Sequence, residues 1–150
     1  MANFIGMFRS SYFQVDDEDV YESLMQNHLA VTDNSGEFWS KEKDGKIYHA
    51  FGGYGVIAGY VEDAKAYPGH KSPKYHEKPD YDKFMNELSK IIKKGDVCII
   101  MKVCHWKLGY VSGNVTVITK DHVEHDSLKK RAREMVEDQG IDSGSVEMFL

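Results

Sequence analysis

The Asp44-Gly45 pair constrains this chain more than any other local feature. It lies between two segments rich in aromatic and branched residues, 38–41 and 46–51. An Asp-Gly pair readily takes the positive φ angles that a tight primed turn requires. The sequence therefore predicts a β-hairpin whose register is fixed by this turn, with Tyr48 and Ala50 on one face and His49 on the other.

A run of glycines follows the hairpin, at positions 52, 53, 55 and 59. Glycines within a strand mark a bulge, a sharp bend or a place where another backbone or a ligand comes close. Their spacing matches neither of the common phosphate-binding loops, and residues 56–61 resemble a strand instead of a helix start. We therefore interpret the segment as a bent strand in preference to a ligand loop.

Composition limits the classes of protein to consider. The chain has 150 residues, 41% of them hydrophobic and 29% charged, which predicts one soluble domain spanning 1–150. No apolar run is long enough to cross a bilayer, and the start has no secretory signal, so we expect a cytoplasmic protein without membrane contact. The net charge of -5 disfavours a protein that binds the nucleic-acid backbone.

The remaining elements follow from periodicity and capping. Cys98 and Cys104 lie six residues apart in one predicted strand, on the same face and well separated, which favours free buried thiols over a disulfide. In the first half we expect a strand at 3–15, a helix after the acidic residues 16–19 with an apolar stripe from Val20 to Leu29, and a long surface loop at 62–79. In the second half we expect a helix capped by Asp80, strands at 97–106 and 110–119, and a short edge strand at 121–126. A helix capped by Ser127 and a tail at 141–150 complete the chain.

This order predicts an α+β fold. We expect two layers, with a mainly antiparallel sheet of about five strands covered by two to three helices. Both halves of the chain contain the order helix-strand-strand, which suggests a pseudo-repeat.

Several segments together resemble a known group of proteins. These are RSSYFQV, KEKDGKIYHAFGGYG, a capped helix and KVCHWKLGYVSGNVTVITKD. Their order and spacing resemble small uncharacterised accessory proteins carried by mobile genetic elements of Gram-positive bacteria. The resemblance implies a context, binding to a host or element protein, and no activity or catalytic residue.

Two groups of residues are candidates for chemistry. His122 and His125, among acidic neighbours, offer metal ligands, but in a strand the two imidazoles point to opposite faces and a site needs three or four convergent ligands. Cys104 and its neighbour His105 suggest a thiolate and a base, yet they also face opposite ways. His49 reaches Cys104 only if the sheet order brings the two together.

Exposed aromatic residues form the third candidate site. Most of the aromatic residues near the hairpin are expected in the core, since they carry much of a domain's buried area. The rest, with the long loop, are our predicted contact surface: Tyr54, Tyr67, His70, Tyr75, His76 and Trp106.

The sequence thus predicts an accessory protein, of inhibitor or regulator type, that binds another macromolecule, with a protein as the expected partner and no cofactor. The alternative is a small hydrolase or metal-dependent enzyme using His49, Cys104 or the pair His122 and His125. Nucleic-acid binding through the sheet aromatics is a weaker third hypothesis.

Overall fold

The structure is a computed structural model that describes residues 4–32, 36–67, 77–106 and 109–146. Its described part is α+β, with a six-stranded antiparallel sheet in the order β3-β4-β1-β6-β7-β8 and a two-stranded sheet of β2 and β5. The strands are β1 Phe4–Ser10, β2 Leu29–Val31, β3 Gly36–Lys43, β4 Lys46–Tyr54, β5 Ile57–Tyr60, β6 Cys98–Trp106, β7 Tyr110–Thr119 and β8 His122–Ser127. The helices are α1 Glu18–Ser23, continued by a π-helical segment Leu24–His28, α2 Tyr81–Ile91 and α3 Leu128–Asp138.

The predicted hairpin is confirmed. Asp44 and Gly45 have φ angles of 55° and 75°, and Lys43 pairs with Lys46 across the turn. The predicted strands at 97–106 and 110–119, the edge strand before Ser127 and the two later helices are also present. The carboxylate of Asp80 accepts from the Lys83 N–H at 2.9 Å, and the Ser127 hydroxyl accepts from the Lys130 N–H at 3.1 Å.

The glycine run lies where the chain leaves the large sheet for the small one. β4 ends at Tyr54, Gly55 has a φ angle of 124°, and β5 begins at Ile57. A Cβ atom placed on Gly59 would lie 2.5 Å from the backbone carbonyl carbon of Asp80. The interpretation as a bend with a close backbone approach is therefore confirmed.

The opening strand is shorter than predicted. β1 ends at Ser10 because serine hydroxyls take over the sheet hydrogen bonds that follow: Ser10 Oγ accepts from the Phe51 N–H at 2.9 Å, and Ser11 Oγ accepts from the Ile99 N–H at 2.8 Å. Beyond them only the single bridges of Phe13 with His49 and of Val15 with Ile92 continue the pairing.

The predicted first helix is present, and Tyr21, Leu24 and Met25 of its predicted apolar stripe are buried, but the stripe is wrong in two respects. Val20, which we also placed on it, is 46% exposed. The predicted stripe also ran through Leu29, but Leu29 begins a short strand that pairs with β5. The π-helical segment between them changes the helical phase, which the i, i+4 pattern does not anticipate.

One face of the six-stranded sheet carries the core. Phe8, Phe51, Ile100 and Ile118 point to it. Helix α1, the π-helical segment and α2 cover it with Tyr21, Leu24, Phe84, Met85 and Leu88. Cys98 and Cys104 are on this face, both buried and free. Helix α3 contributes no buried residue. Within the described residues, no helix is long and apolar enough to cross a membrane.

Candidate functional site

The other face of the six-stranded sheet, here called the outer face, is defined by the strand register. Arg9 pairs with Gly52 on one side and with Met101 on the other, and Met101 in turn pairs with Val115. Directly paired residues of antiparallel strands point to the same side. Phe8, next to Arg9, points into the core, so this row of residues points away from it.

Large apolar side chains lie exposed on the outer face. Val111 and Tyr54 are 74% and 73% exposed, and the other members are roughly half exposed or more. We call the following set the apolar patch: Met7, Tyr54, Met101, Val103, Val111 and Leu128. The register makes Tyr54, Met7 and Val103 immediate neighbours across three strands. Contiguous exposed apolar surface of this kind is typical of interaction sites.

A groove runs between the patch and helix α3. It has a volume of about 240 Å³, and its lining includes Met101, Val103, Leu128 and Arg131. Gly113 makes room for the start of the helix, since a Cβ atom there would lie 2.6 Å from Leu128 Cδ1. The groove is wide enough to take one or two apolar side chains of another molecule.

The predicted contact residues are only partly on this face. Tyr54 is in the apolar patch. Tyr67 follows a short 3-10 turn, is half buried, and has its pKa raised by that burial. His70, Tyr75 and His76 lie outside the described residues, as does the side chain of Trp106.

His49 lies on the core side of the large sheet. Its Nε2 is 2.5 Å from a carboxylate oxygen of Glu18, and its ring centroid is 4.4 Å from that of Tyr21. The Tyr21 hydroxyl is buried, and no described residue forms a hydrogen bond with it. Burial raises the pKa of Tyr21.

The structure does not bring His49 and Cys104 together. The backbone partner of Cys104 is Gly6 in β1, whereas that of His49 is Phe13, seven residues further along the chain and beyond the end of β1. Cys104 Sγ is instead 2.8 Å from Ser112 Oγ. Neither side chain lines any of the four principal cavities of the described structure.

His122 and His125 face opposite ways, as predicted. His122 is exposed, with Nε2 3.5 Å from Glu124 Oε1. His125 points to the core side, where its Nδ1 is 2.9 Å from Thr116 Oγ1. Among the described residues, no three metal-ligating side chains converge.

The sequence did not indicate a further cavity, whose lining combines apolar and ionisable side chains. It has a volume of about 330 Å³ and is lined by His28, Asp19, Tyr60 and Glu87 among others. The Nδ1–H of His28 donates to the Val61 carbonyl at 2.9 Å, and its ring stacks on Tyr60 with centroids 4.6 Å apart. The position of His28 depends on the π-helical segment, for which the sequence has no recognisable signal.

A search of protein-family models found no match to this chain, and neither did searches of the curated proteins and of the solved structures. The resemblance to accessory proteins of mobile elements therefore stays a prediction.

Proposed function

We propose that this chain is an accessory protein of inhibitor or regulator type that acts by binding another protein through the apolar patch. The supporting observation is the outer face itself, where five large apolar side chains lie exposed on an antiparallel sheet and Leu128, the first residue of α3, lies exposed beside them. Sites on strands hold their side chains in more fixed positions than sites on loops. A preformed surface of this kind binds with little ordering cost.

The energetics fit a few anchor residues. Full burial of a Val, Leu or Met side chain contributes about 1.5–3 kcal/mol, so a half-exposed one gains about half of that on binding. Hot-spot residues near the middle of an interface carry most of its affinity. Met101 lies at the groove and Val111 has the greatest exposed fraction in the patch, so these two are the expected anchors.

The predicted two-layer arrangement and the predicted cellular context both fit binding through the outer face. We take the sheet and the helices α1 and α2 as the two main layers, which leaves the outer face available. The helix-strand-strand pseudo-repeat stays a prediction and plays no part in binding. Two buried free thiols suit the reducing cytoplasm, and a mobile-element setting would supply a host or element protein as the partner.

The enzyme hypothesis has less support. The described geometry separates His49 from Cys104 and His122 from His125, and it supplies no cavity that joins a nucleophile to a base. A catalyst needs these groups within hydrogen-bond reach. We therefore do not propose a hydrolase or metal-dependent activity.

The test is quantitative capture of partners from a lysate of cells that carry the gene, with identification by mass spectrometry. The variant Met101→Gln/Val111→Thr makes the patch polar without changing the net charge. Losing two apolar anchors should weaken binding by more than about tenfold, since 1.4 kcal/mol corresponds to a factor of ten. We expect one stoichiometric protein with the wild type and a strong reduction with the variant.

A matched control uses exposed apolar residues away from the outer face. Val20→Gln/Ile47→Thr makes the same kinds of change at side chains that are 46% and 47% exposed, and it should capture the partner like the wild type. Equal capture by all three proteins, or loss only with the control, would rule out the apolar patch as the binding surface. Self-association that the patch variant abolishes would identify a second copy of the chain as the occupant.

A further inference from the structure

A group of cations adjoins the apolar patch on the outer face. Lys41 and Lys43 alternate with Trp39 along β3 and therefore share its side of the sheet, and Lys46 pairs with Lys43. Arg9 belongs to the same face through its pairing with Gly52 and Met101. We call Arg9, Lys41, Lys43 and Lys46 the basic strip. All four are exposed.

Aromatic rings hold two of these cations in place. The guanidinium carbon of Arg9 lies 5.4 Å from the centroid of the Trp39 ring, and Lys41 Nζ lies 3.9 Å from that of Tyr12. The two rings are themselves joined, because Trp39 Nε1–H donates to the Tyr12 hydroxyl at 3.1 Å. Cation-π contacts of this kind orient a charge without neutralising it.

The four cations of the strip outnumber the carboxylates that β1, β3 and β4 carry on the same face. Among the residues that the structure describes, no carboxylate lies within ion-pair distance of the four cations. Of the two glutamates in β3, Glu37 points to the outer face, because it pairs with Gly52. Such a cluster in a chain with a net charge of -5 creates a local positive potential that attracts acidic groups.

The neighbouring patch favours a protein over a nucleic acid as the source of those acidic groups. Single-stranded nucleic acids bind by stacking bases on exposed aromatic faces, but Arg9 and Lys41 already cover the faces of Trp39 and Tyr12. The adjoining apolar patch is mainly aliphatic, with Tyr54 as its one aromatic member.

We propose that the occupant of the outer face is an acidic protein segment, with apolar side chains that enter the groove beside α3 and carboxylates that pair with the basic strip. This inference rests on the proposed function and adds the chemistry of the partner. Apolar anchors supply the affinity, and the charges supply the association rate and the orientation.

The test measures the binding of dye-labelled synthetic probes to the full chain by fluorescence anisotropy. The probes are a short peptide of glutamates with two leucines, its counterpart with lysines in place of glutamates, and an oligothymidylate. We expect the glutamate peptide to bind the wild type at least about tenfold more tightly than the lysine peptide. Its binding should weaken as added salt screens the charges.

Charge reversal locates the binding. Arg9→Glu/Lys41→Glu should weaken the binding of the glutamate peptide by about tenfold, because two exposed charge pairs are lost and replaced by repulsion. Lys93→Glu/Lys94→Glu changes the net charge equally at exposed positions after α2 and should bind like the wild type. Lys43→Glu/Lys46→Glu tests the same strip without disturbing the two rings, in case the first variant fails to fold.

Several results would overturn the inference. These are no binding of the glutamate peptide, equal binding of both peptides, equal weakening by the strip and control reversals, or an oligothymidylate that binds more tightly and depends on Arg9 and Lys41. The two proposals fail differently. If Met101→Gln/Val111→Thr loses the captured partner while both strip variants keep it, the binding surface stands and only the acidic character of the partner is wrong.

Discussion

At the scale of the residue, Tyr21 is unusual because its buried hydroxyl has no hydrogen-bond partner among the described residues. Replacing it by Phe removes a desolvated polar group and leaves the ring contacts with Phe13 and His49 in place. We expect Tyr21→Phe to change the free energy of unfolding at neutral pH by less than about 1 kcal/mol. Urea unfolding measures this directly, and a larger loss would show that the hydroxyl is bonded in solution.

The same residue predicts a pH dependence. Burial raises the pKa of Tyr21 and of Cys98, so the folded chain keeps these protons to higher pH than the unfolded chain. The contribution of these two protonated groups to the free energy of unfolding is therefore complete below about pH 8. It falls as pH rises through the pKa values of the unfolded chain, near 8.5 for Cys98 and 10 for Tyr21. The limiting slope is about 1.4 kcal/mol per pH unit for each group. In Tyr21→Phe the decline above about pH 10 should be less steep by about 1.4 kcal/mol per pH unit, the contribution of one group.

Gly59 provides a second prediction at this scale. Its φ angle is 138° and its Cα faces the backbone of Asp80, so Gly59→Ala combines backbone strain with a steric clash. We expect a loss of about 3 kcal/mol or more. Gly45→Ala, where φ is 75° but the surroundings are open, should cost only about 1–2 kcal/mol. Thermal unfolding measures both losses of stability. Equal losses in Gly59→Ala and Gly45→Ala would contradict the close approach of Gly59 to the backbone of Asp80.

Sequence reasoning at the residue scale worked where the cause is local. The turn at Asp44-Gly45 and the caps at Asp80 and Ser127 each depend on a few neighbouring residues and were predicted. The Glu18–His49 contact joins residues 31 positions apart, so no local pattern indicates it. For the same reason the sequence left the relation between His49 and Cys104 open.

At the scale of the element, α3 differs from α2. Helix α2 buries Phe84, Met85 and Leu88, whereas α3 buries no side chain and starts with Leu128 resting on Gly113. Its stability therefore depends strongly on capping. We expect Ser127→Ala to remove about 1 kcal/mol from the helix.

Hydrogen exchange followed by mass spectrometry measures this effect. In the wild type, amides of α3 should exchange well before those of α2, because a helix without buried contacts opens locally. In Ser127→Ala the exchange of α3 should accelerate about fivefold while global unfolding stays unchanged within about 0.5 kcal/mol. Equal protection of the two helices would mean that α3 packs more tightly than its exposure indicates.

Elements without a local signal were missed. Strand β2 has three residues and forms by pairing with β5, and no local sequence pattern predicts that pairing. The π-helical segment before it likewise has no characteristic sequence pattern. Long amphipathic elements with caps, such as α2, depend on periodicity and were predicted correctly.

At the scale of the whole molecule, the position of β1 decides which surface is available. It lies between β4 and β6 and so joins the two hairpins into one sheet. This arrangement depends on contacts between distant parts of the chain. The sequence therefore predicted an antiparallel sheet with helices but not its order, and it could not indicate that Met101 and Val103 would lie exposed beside Met7.

The most direct measurement of the proposed function is photo-crosslinking in cells. A photoreactive benzoylphenylalanine replaces Met101 in one protein and Ile47, an exposed apolar residue outside the patch, in a control. We expect the probe at Met101 to form a covalent product with one protein, and the probe at Ile47 to form none. Products of equal yield from both positions, or from Ile47 alone, would contradict binding through the outer face.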